Sequence, residues 1–169
     1  MNTAIILAAG VGQRMRSGGM PKQFVNLMGK PIIIYTLEKF EQASETVKKV
    51  TKPTKLVYSE YLSQQTGGKI YLKPENMQFT GAYKVRGAYY KISTLSEEEK
   101  ARGLITASAG NHAQGVAYAA SQAGVKATIV MPTTTPLVKV NNTKDYGAEV
   151  ILHGEVFDDA AELAAKLSE

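Results

Sequence analysis

The chain has 169 residues with 20 basic and 15 acidic side chains, a net charge of +5, and it is 44% hydrophobic with no Cys and no Trp. That composition is ordinary for a globular α/β domain, and the lack of Cys excludes disulfides, thiolate metal sites and Cys nucleophiles. No apolar run is long enough for a membrane span, and MNTAIILAAG lacks a basic leader, so a cytoplasmic protein with no membrane partner is expected. Residues 1–42 hold five basic side chains (Arg14, Arg16, Lys22, Lys30, Lys39) against two acidic ones (Glu38, Glu41). That excess reads as a phosphate-attracting patch or as a basic solvated surface. No basic run interleaved with aromatics is present, so nucleic acid is not an expected partner.

In chain order, residues 3–8 (TAIILA) form an apolar, β-branched run that predicts a buried parallel strand. A Gly-rich stretch to Gly19 and the basic segment MPKQF follow. Pro31 stands at a predicted helix N1 position, and the helix continues through EQASETVKKV as far as Val50, before Pro53. Residues 59–65 predict a short helix ended by Gly67 and Gly68, and residues 69–73 (KIYLK) a strand. The rhythm then becomes regular. Helices are predicted over 82–95, 111–123, 136–146 and 156–167, with a short Ser96-capped turn between the first two. Strands are predicted over 103–107, 126–131 and 149–152. This alternation predicts an α/β fold, a three-layer αβα arrangement around a mainly parallel sheet, with residues 1–169 forming one fused domain.

The run AIILAAGVGQRM, followed by MPKQF and GKPIIIYTLEKF, is the first motif with chemistry in it. After a buried strand, Gly10 and Gly12 let backbone amides approach a phosphate where a Cβ would clash. Arg14 and Lys22 can neutralise a triphosphate and its developing charge. Met15 fills the last position of a dinucleotide fingerprint, so the spacing is not G-x-G-x-x-G. Residues 1–42 resemble the start of 2-C-methyl-D-erythritol 4-phosphate cytidylyltransferases. The resemblance implies CTP with Mg²⁺, a triphosphate cradle at Gly10 and Gly12, and catalytic charge stabilisation by Arg14 and Lys22.

The second pair of motifs is KIYLKPENMQFTGAYKVRGA and TASAGNHAQGVAYAA. On these, residues 43–169 resemble the N-terminal portion of threonine dehydratases, fold-type II pyridoxal 5′-phosphate enzymes. The resemblance implies that Lys84 carries the cofactor covalently, a task suited to an amine that attacks an aldehyde. Ala82 and Tyr83 stand where that family usually has Ser-Phe. The turn Ser108, Gly110, Asn111 offers helix-start amides to a substrate carboxylate or another anion such as phosphate or sulfate. The resemblance gives Asn111 a hydrogen bond to the cofactor's ring oxygen; as residues alone, Asn111 is a plain N-cap and His112 a helix-start residue. The family's Gly-rich phosphate loop has no counterpart here, because Gly-Gly occurs at 18–19 and 67–68, outside the required context.

The two resemblances meet near Gln42 and Ala43, inside one predicted helix of good helix formers. Three readings follow. The first is an engineered chimera without native catalysis, which self-associates, as a dimer, through edges that have lost their cover. The second is a pyridoxal-phosphate lyase acting on threonine or serine. The third is a CTP-dependent cytidylyltransferase. The first is the primary expectation at this point.

Overall fold

A computed structural model describes residues 22–169, with Lys22 through its backbone alone, so the 3–8 strand, Gly10, Gly12 and Arg14 lie outside the described residues. The chain divides into two compact units, residues 1–46 and 47–169. In the first, strands β1 (Asn26–Leu27) and β2 (Lys30–Pro31) pair antiparallel. Their turn has φ of 49° at Met28 and 87° at Gly29, the double left-handed geometry whose twist matches a two-residue hairpin. Helix α1 (Ile32–Val47) follows directly, so Pro31 ends the strand rather than opening the helix. The Tyr35 hydroxyl donates to the Leu27 carbonyl at 2.7 Å, and Lys30 reaches Glu38 at 2.6 Å. α1 runs unbroken through Gln42 and Ala43, and the chain tightens into a 3₁₀ turn at Lys48–Val50.

The second unit begins with β3 (Val57–Tyr58), α2 (Glu60–Thr66) and β4 (Tyr71–Leu72). Ser59 caps α2 by accepting from the Leu62 amide, and Gly67 closes it with φ of 70°. The KIYLK segment was expected as a strand of the parallel lobe. Only its centre is a strand, and it pairs antiparallel with β3, Val57 opposite Leu72 and Tyr58 opposite Tyr71. The pairing residues are exposed, so no buried face recruits this segment into the main sheet.

The main sheet is parallel, in the order β5 (Leu104–Ala107), β6 (Ala127–Met131), β7 (Glu149–Leu152). Between and around these strands lie α3 (Lys84–Ser93), α4 (Glu97–Arg102), α5 (Asn111–Gln122), α6 (Leu137–Asp145) and α7 (Phe157–Leu167). Alternation along β6 explains the layers. Ile129 and Met131 pack with α3, α5 and α6, whereas Val130 packs with Ala160 and Ala164 of α7 on the other face. The unit is therefore helix, sheet, helix, the expected α/β class.

α5 is buried on nearly every side between the sheet and α3, and its alanines (113, 117, 119, 120) allow that close approach. Ile129 is fully buried at the centre of this core. Replacing it with alanine leaves a cavity, and Ile129→Ala is expected to lower the free energy of urea unfolding by about 2–5 kcal/mol. A loss under about 1 kcal/mol would mean that the core is not packed as described.

Candidate active site

Lys84 is the first residue of α3, and α5 fixes its place. A Cβ on Gly115 would stand 3.0 Å from the Lys84 Cβ and 3.1 Å from its carbonyl carbon. The side chain is half-buried, and its amine lies 4.9 Å from the centre of the Tyr83 ring. It also lies near His112: desolvation, and then the Lys84 charge, hold that imidazole below its ordinary value. The fold thus brings Lys84 of one motif to the start of α5 in the other.

The turn before α5 is organised by Ser108. Its Oγ accepts from the amides of Gly110 at 3.3 Å and Ala113 at 3.2 Å. That leaves the Asn111 and His112 amides as helix-start donors. A Cβ on Gly110 would meet nothing within 4 Å, so the turn opens onto free space. Gly110, not Asn111, is the N-cap; Asn111 is the first helical residue and its Oδ1 accepts from Lys139 Nζ at 3.0 Å. The Asn111 side chain therefore serves α6 rather than its own helix end, and its amide nitrogen remains a donor. Buried Gln114 Nε2, one turn further along α5, and Thr135 Oγ1 have no hydrogen-bond partner among the described residues.

A second cluster stands two residues beyond Lys84. Arg86 grips Glu75 with both arms, Nε to Oε2 at 2.9 Å and Nη2 to Oε1 at 3.0 Å. Thr54 Oγ1 donates to the same Oε1 at 2.6 Å, and Gln78 Nε2 approaches it at 3.4 Å. Gln78 also binds both the amide and the carbonyl of Lys52, at 3.0 and 2.9 Å, while Lys73 bonds the Thr54 carbonyl. Burial would raise the Glu75 carboxyl, but the Arg86, Thr54 and Gln78 hydrogen bonds and the guanidinium charge bring it down to about 2. Glu75, Gln78 and Arg86 lie within the KIYLKPENMQFTGAYKVRGA motif, but sequence reasoning gave them no role, because contacts between partners 11 and 21 residues apart leave no periodic trace.

Of the predicted triphosphate residues, Lys22 opens a 3₁₀ turn at Lys22–Phe24. Gly10, Gly12 and Arg14 lie outside the described residues. Gly67 is spent closing α2, so the Gly67–Gly68 pair is a helix end and not a phosphate loop.

With this geometry in place, likeness to known proteins becomes informative. Residues 47–169 match the family described as pyridoxal-phosphate dependent enzyme, and residues 2–72 match 2-C-methyl-D-erythritol 4-phosphate cytidylyltransferase. The chain is 56% identical over 134 residues to an L-threonine ammonia-lyase of Thermotoga maritima, covering 79% of this chain and 33% of that protein. It is 55% identical over 127 residues to a catabolic L-threonine dehydratase of Staphylococcus aureus, covering 75% of this chain and 37% of that one. The chain therefore spans well under half the length of these relatives. Among solved structures, processed threonine deaminase isoform 2 of Solanum lycopersicum is similar, with a TM-score of 0.74, 41% identity, and coverage of 80% of this chain and 38% of that one. Maize serine racemase has the same TM-score at 31% identity, covering 78% and 40%.

The Glu75 cluster makes a pH prediction. A carboxyl held below its ordinary 4.5 stabilises the fold fully above that pH, and the contribution disappears as pH falls towards 2. Unfolding free energy should therefore decline over that window by about 3 kcal/mol more in the native chain than in Glu75→Gln. Parallel pH profiles for the two proteins in urea unfolding would contradict this.

Proposed function

The chain belongs to the pyridoxal-phosphate dependent enzymes, and from that premise we propose an ammonia-lyase acting on threonine or serine, with Lys84 as the cofactor-bearing lysine. The observation that carries this reading is the meeting of the Lys84 amine with the open, amide-lined start of α5. The named relatives support it better than a chimera without catalysis.

The residues present suit the aldehyde and ring oxygen of the cofactor and the substrate carboxylate, while no Gly-rich loop for its phosphate stands among the described residues. When bound, pyridoxal phosphate supplies an aldehyde and an electron-withdrawing ring that stabilises negative charge at the substrate's α-carbon. Lys84 would hold the cofactor through its amine, and the same amine could take a proton from the substrate's α-carbon. The free amides of Asn111 and His112 receive the substrate carboxylate, because a helix start favours negative charge. Ser108 holds that turn in place, Gly110 leaves room for the carboxylate, and the Asn111 amide nitrogen would donate to the cofactor's ring oxygen if bound there. His112, held towards its neutral form, adds no positive charge to compete for the carboxylate.

A second reading is favoured by the match over residues 2–72. It joins a cytidylyltransferase-like segment, with Gly10, Gly12, Arg14 and Lys22 around CTP and Mg²⁺, to the lyase-like unit within α1 as one chimeric fold.

Titration with pyridoxal phosphate, then borohydride reduction and peptide mass mapping, should place the label on Lys84. Ammonia release from threonine should exceed that of a Lys84→Ala control. A label spread evenly over surface lysines, with no excess ammonia, would refute the lyase. A thermal shift with CTP and Mg²⁺, present in the native chain and absent in Arg14→Ala, tests the second reading.

A further inference from the structure

The start of α3 lacks the usual side-chain cap: its N-cap residue, Tyr83, makes no side-chain hydrogen bond to the first turn. Among the described residues no carboxylate pairs with the Lys84 amine, whose ring neighbour is Tyr83. At the amine itself only the Tyr83 ring contact bears on its direction. What the structure supplies is a hold on the backbone of that turn. Arg86, its third residue, bonds the Tyr83 carbonyl through its amide at 3.1 Å and fixes its guanidinium on Glu75 with two arms. Glu75 is itself held by further partners. Its Oε1 also takes the Thr54 hydroxyl, and Gln78 staples the neighbouring strand of loop to Lys52 by two backbone bonds.

The surface pairs Lys100–Glu97 and Lys166–Glu162 differ in kind. Each is one bond on an exposed helix face, with a glutamate side chain 88% and 70% exposed, against 19% for Glu75. Such exposed pairs contribute little. A half-buried, two-armed pair reinforced by a third and fourth donor instead defines an orientation.

We propose that Glu75 is a positioning residue: acting through Arg86, it fixes the first turn of α3 so that the Lys84 amine points at the space in front of Gly110. This rests on Lys84 being the cofactor-bearing lysine, and it gives two residues of the first motif, Glu75 and Arg86, a role that the resemblance does not assign. An amine displaced by about an ångström loses roughly a hundredfold in reactivity towards a held partner. An arginine-to-lysine change at the clamp keeps the charge but loses the fork.

The test uses the full chain and pyridoxal phosphate itself. After borohydride reduction, the label on Lys84 is counted relative to Lys91 and Lys126, and amide exchange is followed at residues 84–86. In Glu75→Gln and Arg86→Lys, each assayed well below its melting temperature, the preference for Lys84 should fall about tenfold or more and the exchange should quicken. Glu97→Gln should match the native chain. A purely structural role would lower the melting temperature yet leave the Lys84 preference untouched, and that result in either folded variant overturns the inference while the cofactor assignment stands. A native chain with no preference for Lys84 overturns the assignment and the inference with it.

Discussion

The backbone of Gly115 presses against the first turn of α3, and the organisation of the site depends on that contact. A helix whose second turn carried any side chain there would force Lys84 and the start of α3 to give way by a few tenths of an ångström. With Gly115 and a run of alanines, α5 lies close to α3 and to the sheet at once. Lys84 stands more than twenty residues before Ser108 and Asn111 in the sequence, and this packing brings them to one place.

Electrostatics and packing point the same way at that place. The end of β5 delivers the chain to Ser108, whose hydroxyl takes two amides and leaves two more facing open space. Lys84 and Lys139 stand nearby, the second bound to Asn111, so positive charge and helix-start amides converge. A carboxylate finds there the donors that carboxylates prefer. Behind Lys84, the Glu75–Arg86 clamp ties the same turn to residues 52–54, and Phe79 stacks on Tyr118 at 5.4 Å while its carbonyl accepts from the Tyr146 hydroxyl. The loop between the clamp and Lys84 is thus held at both ends.

Much of the second unit was legible in the sequence because its signals are local. Apolar runs at 104–107 and 127–131, Gly after α5 and α6, and Ser96 with Glu99 each state an element or its end without reference to distant residues. Lys84 and the Ser108 turn were legible through the motifs that hold them. Three things were not. The pairing of residues 71–72 with 57–58 depends on a partner too short to show alternation. Asn111 reads as a cap by composition, and only the approach of Lys139 from α6 turns its side chain elsewhere. The Glu75 cluster joins the 52–54 loop, the 3₁₀ turn at Glu75–Met77 and the first turn of α3, and its members are ordinary polar residues until the fold assembles them. The lyase reading overtook that of a chimera without catalysis because identity to named relatives extends over 134 residues, far beyond the two motifs.

The close contact at Gly115 can be tested by the sign of one stability change. Alanine in place of glycine inside a helix stabilises it by about 1 kcal/mol when the new methyl group meets nothing. Gly87, within α3, is such a position, with nothing within 4 Å of a Cβ, whereas a Cβ at Gly115 meets Lys84 and Val85 backbone at 3.1 Å. Urea unfolding of the two variants should therefore diverge, Gly87→Ala gaining about 1 kcal/mol and Gly115→Ala losing stability outright. If Gly115→Ala gains as much as Gly87→Ala, α5 does not hold Lys84 in place and the site is built some other way.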